Sequence, residues 1–101
     1  MAIKVEWDYP EAVDLRNPIV GVHKLVKGEV VRCESLPRDC LLQVSAEVDC
    51  WVALNAKPEI EDGFLLYAAN PVTFRVRQGE WLGFIAEKSG KLYLHSTTSR
   101  P

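Results

Sequence analysis

Val48-Asp49-Cys50-Trp51-Val52-Ala53-Leu54 decides the fold class: Val48, Cys50, Val52 and Leu54 fall on one phase of a two-residue period, Asp49, Trp51 and Ala53 on the other. A two-residue period places successive side chains on opposite faces of a strand, and here one face is apolar throughout. The same period continues in both directions. It covers 40–45, 29–34, 19–26 and 2–7 on the N-terminal side, and 64–69, 72–77, 80–86 and 91–97 on the C-terminal side. β-branched and aromatic residues dominate these runs, and no segment carries the 3.6-residue spacing of an amphipathic helix. Short strands at roughly ten-residue spacing predict an all-β fold, an antiparallel β-sandwich or barrel of about eight to nine strands.

The punctuation between the runs agrees. Lys27-Gly28 reads as a tight hairpin, 36–39 as a turn around Pro37, and Asn70-Pro71, Gln78-Gly79 and 87–90 as further turns. The 55–63 segment, with Pro58, Glu59, Glu61 and a final Asp62-Gly63, reads as a surface loop. Between the first strand and residue 19, the 8–18 segment holds Pro10 and Pro18 and reads as a loop or extended arm. The expected organisation is one domain: an N-terminal strand and arm over 1–18, and a sandwich over 19–101.

Composition excludes several roles. Twelve Lys and Arg against fourteen Asp and Glu give a net charge of −2, which lacks the basic surplus of a nucleic-acid binder. The first ten residues alternate Ile3, Val5 and Trp7 with Lys4, Glu6 and Asp8, so no secretory leader is expected. No apolar stretch approaches the length of about 18 residues that a membrane helix needs, and no membrane partner is expected. Cys33, Cys40 and Cys50 are odd in number, which leaves at least one unpaired; reduced, buried thiols in a protein kept in the cytosol, or in something assembled there, are the expectation.

Catalytic chemistry finds little support. The only imidazoles are His23 and His95; His23 shares its phase with Ile19, Gly21 and Leu25, and His95 with Lys91, Tyr93 and Thr97. The first reads as a partly buried, satisfied histidine and the second as a solvent-facing or interface residue, and no Gly-x-Ser-x-Gly elbow supplies a nucleophile. Gaps of six and nine residues between the cysteines lack the short pairs of zinc sites. Glu59, Glu61 and Asp62 stand without EF-hand spacing, and no glycine-rich phosphate loop occurs. No enzymatic activity, metal or cofactor is expected.

Two strands break the half-buried pattern. Phe64-Leu65-Leu66-Tyr67-Ala68-Ala69 and Trp81-Leu82-Gly83-Phe84-Ile85-Ala86 are apolar on both faces, whereas a two-layer sandwich covers only one face of each sheet. Either a second copy covers the outer faces or the arm or a loop of the same chain does; the first reading makes Leu65, Tyr67, Leu82 and Phe84 interface residues. Trp51 lies in the polar phase of its strand, as an anchor at a subunit contact or as a platform for a sugar ring. Arg75 and Arg77 share one face of their strand, and residues 70–101 carry +3 while the first eighteen carry −2. This asymmetry suits head-to-tail or arm-to-neighbour contacts, with a solvated face as the plain alternative.

From Val48-Asp-Cys-Trp-Val-Ala-Leu-Asn-Ala, through Phe64-Leu-Leu-Tyr-Ala-Ala-Asn-Pro-Val-Thr-Phe-Arg-Val-Arg-Gln-Gly-Glu-Trp-Leu-Gly-Phe-Ile-Ala, to Lys91-Leu-Tyr-Leu-His-Ser, the chain resembles small tailed-bacteriophage virion proteins. Capsid decoration (cement) proteins and head-fibre modules are of this kind, and about half of the chain shares their order of strands and turns. The resemblance implies a jelly-roll-like sandwich, often trimeric, that binds the assembled lattice of a major capsid protein and carries out no catalysis. It also implies a place in the virion, reached by assembly in the host cytoplasm. The alternative is a carbohydrate- or receptor-binding sandwich module of the tail or fibre type, with a glycan held at Trp51 and the 55–63 loop.

Overall fold

A computed structural model describes residues 12–13 and 18–98, and every regular element in it is a β-strand. The strands are β1 (Ala12–Val13), β2 (Val20–Leu25), β3 (Val31–Arg32), β4 (Cys40–Ala46), β5 (Cys50–Leu54), β6 (Phe64–Leu66), β7 (Val72–Val76), β8 (Leu82–Ala86) and β9 (Gly90–Thr98). The expected 2–7 strand lies outside the described residues. Within the 8–18 segment, read as a loop or extended arm, Ala12–Val13 is extended and pairs with Thr98 and Thr97 of β9.

The pairing is nested. β2 pairs with β9, β3 with β8, β4 with β7 and β5 with β6, all antiparallel, so the chain behaves as one long two-stranded ribbon. Two further pairings, β4 with β9 and β5 with β8, roll that ribbon into two sheets. Sheet A has the order β2-β9-β4-β7, with β1 on the same edge of β9 as β2, and sheet B has the order β3-β8-β5-β6. This is the jelly roll: a single-domain, all-β antiparallel sandwich.

Nesting overturns the hairpin reading of Lys27-Gly28. The turn itself forms, with the Glu29 amide donating to the Val26 carbonyl at 2.9 Å and Gly28 at φ +76°, but it hands the chain from sheet A to sheet B. Every connection from β2 onward crosses between sheets except β5 to β6, whose strands are neighbours in sheet B. Local turn chemistry is the same in both cases, which is why sequence could not separate them. The 64–69 run also stops early, at Leu66. Asp49 Oδ1 accepts the Ala68 amide at 2.7 Å, the Asn70 amide donates to the Tyr67 carbonyl at 3.2 Å, and Ala69 turns left-handed at φ 58°.

Inward-pointing residues of both sheets form one core. Leu25, Leu42, Val44, Leu92 and Leu94 come from sheet A, and Cys50, Val52, Leu66, Leu82, Phe84 and Ala86 from sheet B. Phe84, Leu42, Leu66 and Leu92 have no exposed surface. Phe64 of β6 and Phe74 of β7 meet edge to face between the two sheets, with centroids 5.5 Å apart.

Candidate functional site

Register and alternation define a site on the outer face of sheet B. Trp51 stands opposite Ile85 on one side and Leu65 on the other, so three outward apolar side chains form a row across β8, β5 and β6. Val30, just before β3, is 39 % exposed at the β3 end of this sheet. One pleat along, Tyr67 is 57 % exposed. Trp51 and Leu65 are half-buried and Ile85 is buried.

The 55–63 loop bounds the row on one side. Asn55 starts it left-handed at φ 53°; its Oδ1 accepts the Trp81 amide at 3.0 Å and its own amide donates to the Trp81 carbonyl at 2.8 Å. The loop then lies over β8, where buried Pro58 and the Ala56 carbonyl come down on Gly83. A Cβ on Gly83 would overlap that carbonyl oxygen and reach within 2.9 Å of Pro58 Cδ. Beside Gly83, Arg32 Cζ sits 3.9 Å from the centroid of the Trp81 ring, a cation–π contact.

On the other side of the row, Glu47, Val48, Asp49, Ala68, Glu87 and Lys88 join Trp51 around a crevice of about 340 Å³. Three carboxylates against one ammonium make this crevice acidic. Two of them also hold the backbone: Asp49 caps the Ala68 amide, and Glu47 Oε1 accepts the Lys91 amide at 2.8 Å. A second crevice of about 380 Å³ opens between β2 and the 33–37 segment, over Leu42 and Leu94, with His23 on its wall.

Among the seven candidate interface residues, the structure makes three groups. Trp51, Leu65 and Tyr67 share the outer face of sheet B. Arg75 and Arg77 are exposed at the β7 edge of sheet A, on the far side of the sandwich. Leu82 and Phe84 are corrected: they are 3 % and 0 % exposed and point at sheet A, so they build the core and present no surface to a second chain. Part of the cover that the doubly apolar β8 demands comes from the chain itself, through Pro58. Sequence reasoning missed the contribution of Ile85 and the acidic flank, because both follow from cross-strand register. Gly83 inside an apolar strand was the available signal for a close backbone approach.

The cysteines are unpaired, with Cys33 and Cys50 buried and Cys40 half-buried. The Leu82 amide donates to Cys33 Sγ at 3.2 Å. Burial pushes the Cys50 thiol up from 9.0 to about 11, with the Asp49 carboxylate adding to the effect. Burial also raises Cys40; Arg38 opposes the shift, and Asp39 and Cys33 add to it. The unfolded thiol ionises near 9.0 while the folded Cys50 thiol keeps its proton, so the native state binds more protons between these values. Stability is therefore expected to fall as pH rises from 9.0 to about 11, and urea unfolding across this window should show a flatter profile for Cys50→Ala.

His23 is half-buried and faces inward beside Gly21, as its phase predicts. His95 is half-buried on the outer side of sheet A, its Nδ1 2.7 Å from the Ser96 carbonyl oxygen. No group of three or more His, Cys, Asp or Glu side chains among the described residues is arranged to hold a metal ion. Among the described residues no helix is long and apolar enough to cross a membrane.

The fold and this face define a jelly-roll sandwich with an apolar row on one outer surface. No family model matches the chain, and no curated protein matches it. Among solved structures it is similar to a conserved Streptococcus pyogenes protein of unknown function, with a TM-score of 0.54 and 14 % identity over 100 % of this chain and 88 % of the other. At that identity the likeness speaks for the fold.

Proposed function

We propose that this chain is a non-enzymatic structural protein of a tailed-phage virion, a capsid decoration protein that self-associates and stabilises the assembled lattice of the major capsid protein. The observation that carries the reading is the row of Ile85, Trp51 and Leu65, extended by Val30 and Tyr67, on an outer face that the described residues cover only in part. Aromatic and aliphatic anchors grouped on a rigid sheet are what a protein interface uses at its centre. The jelly roll suits the role, since it is a recurrent fold of viral capsid proteins. Preferential binding to the assembled form would stabilise the shell by mass action.

A second reading, a glycan-binding module, draws on one specific observation: Trp51 borders a crevice with Glu47, Asp49 and Glu87, an aromatic wall beside hydrogen-bonding carboxylates. One substitution separates the two. As an interface anchor, Trp51→Ala should raise the dissociation constant of self-association more than about 30-fold, the effect of losing a hot spot worth about 2 kcal/mol. Its unfolding midpoint should move little, because the side chain is half-buried. As a sugar platform, the same change should abolish glycan binding and leave the oligomer intact. The capsid role itself is tested by sedimenting the protein with assembled heads that lack it and with unassembled major capsid protein. Co-sedimentation with the heads is expected; binding only to the unassembled protein, or to neither, contradicts the role.

A further inference from the structure

We infer that the free edge of β2 is a strand-acceptor site, and that its occupant is the chain's own 2–7 segment, added antiparallel with Ile3, Val5 and Trp7 turned into the crevice beside β2. This surface is distinct from the Trp51 row. The Ser96 amide donates to the Ile19 carbonyl at 2.8 Å, which fixes the phase of the β2–β9 ladder. In an antiparallel pair, alternate residues exchange backbone hydrogen bonds. Ile19, Gly21, His23 and Leu25 therefore turn their backbone groups towards β9, and Val20, Val22 and Lys24 turn theirs away. No described residue meets those outward amides and carbonyls. Folded proteins keep such edges short, charged, or covered. β2 runs for six residues, and Val20 and Val22 on it are 59 % and 61 % exposed, with Lys24 as a guard at one end. At its foot opens the crevice of about 380 Å³ floored by Leu42 and Leu94. Free main-chain groups beside a pocket for alternate side chains are the two parts of recognition by strand addition.

An occupant must reach this edge and carry apolar side chains at every second position. The 2–7 segment alternates Ile3, Val5 and Trp7 with Lys4 and Glu6. It lies outside the described residues, but its attachment does not: Ala12 stands opposite Thr98, on the same edge of β9 that β2 uses. Val20 and Val22 stand opposite His95 and Tyr93, so the way from Thr98 to Tyr93 is five residues along β9, within the span of the six residues 2–7. The 8–11 connection, with Pro10 in it, has a length common among hairpin loops. A tethered segment meets the edge at a high effective concentration, which favours it over the same segment of a second copy. Its apolar phase then covers the Leu42 and Leu94 floor, and Lys4 and Glu6 join the outer side of sheet A.

Amide hydrogen exchange on the full chain, read residue by residue by NMR, tests this. The Gly21 and His23 amides bond to β9 whether or not the outer edge is occupied, so they report that the sheet is intact. The Val20 and Val22 amides report the occupant. In the parent they should exchange at least about 100-fold more slowly than in an unfolded chain. Val5→Asp sets a carboxylate over the apolar floor and should speed both by at least about tenfold, while Gly21 and His23 stay as slow as before. Glu6→Gln, on the outer phase, should leave all four unchanged. Val20 and Val22 amides that exchange at unfolded-chain rates in the parent overturn the acceptor site. Slow exchange that Val5→Asp does not change overturns the 2–7 segment as occupant. Slow exchange that depends on Val5 but is lost on dilution assigns the edge to the segment of a second copy and overturns the intramolecular pairing.

Discussion

Phe84→Ala is expected to lower the unfolding free energy by about 3–5 kcal/mol, the range for deleting a buried phenylalanine ring from a packed core. Phe84 has no exposed surface, stands opposite Val31 and Val52 in sheet B, and points into the space between the sheets. Its two cross-strand neighbours are fixed in a central strand pairing, so the cavity left by the ring has little freedom to collapse. A loss of that size is a large part of the stability of an ordinary domain of about 100 residues, which totals about 5–15 kcal/mol. Urea unfolding followed by tryptophan fluorescence measures it. A loss under about 1 kcal/mol would contradict the placement of Phe84 in the core and reopen its reading as a surface anchor.

Gly83→Ala is expected to cost about 1–3 kcal/mol through a different route, overpacking. The added methyl group would overlap the Ala56 carbonyl oxygen and press on Pro58 Cδ at 2.9 Å. Backbone and a proline ring surround the site, so the 55–63 loop must shift as a unit. Its ties at Asn55 to the Trp81 backbone, at 2.8 and 3.0 Å, would strain with it. At about 4–8 °C per kcal/mol for a domain of this size, thermal unfolding resolves the change easily. Because the loop protects β8, the variant should also bind more of a hydrophobic dye. An unchanged midpoint with no added dye binding would show that the loop does not rest on Gly83.

The contrast between these two positions explains how much was legible in the sequence. Period-two alternation in 48–54 fixed the strand character of β5 and which of its faces is apolar, and the same rule placed β2, β4, β7, β8 and β9 within a few residues. It could not place β1, because two residues inside a proline-bounded segment carry no period. Nor could it show that Lys27-Gly28 crosses between sheets, since a β-turn does not record which strand receives the chain. For β8, sequence correctly read an apolar strand on both faces but assigned Leu82 and Phe84 to the outside. Side-chain phase relative to the core is set by pairing with β5 and β3, a long-range fact, and Gly83 was the position that marked the covered outer face. At the candidate site, Trp51 was legible as the large aromatic in a polar phase. Its neighbours Ile85 and Leu65 emerge only once β8 and β6 flank β5.

The charge pattern follows the same logic. Arg75 and Arg77 were visible as a pair on one face of one strand, but Lys24 and Lys91 lie 67 positions apart in the chain and meet only through the β2–β9 register. The nested ribbon of the jelly roll is what brings β2 and β9, far apart in the chain, side by side in sheet A.

The most direct test of the central claim is the solution mass of the chain by light scattering, over a range of concentrations and without any partner. Self-association through the outer faces predicts masses at defined multiples of 11.4 kDa that fall towards the monomer on dilution, and for Trp51→Ala the same fall at concentrations more than about 30-fold higher. A parent chain that holds the monomer mass at every concentration would contradict it.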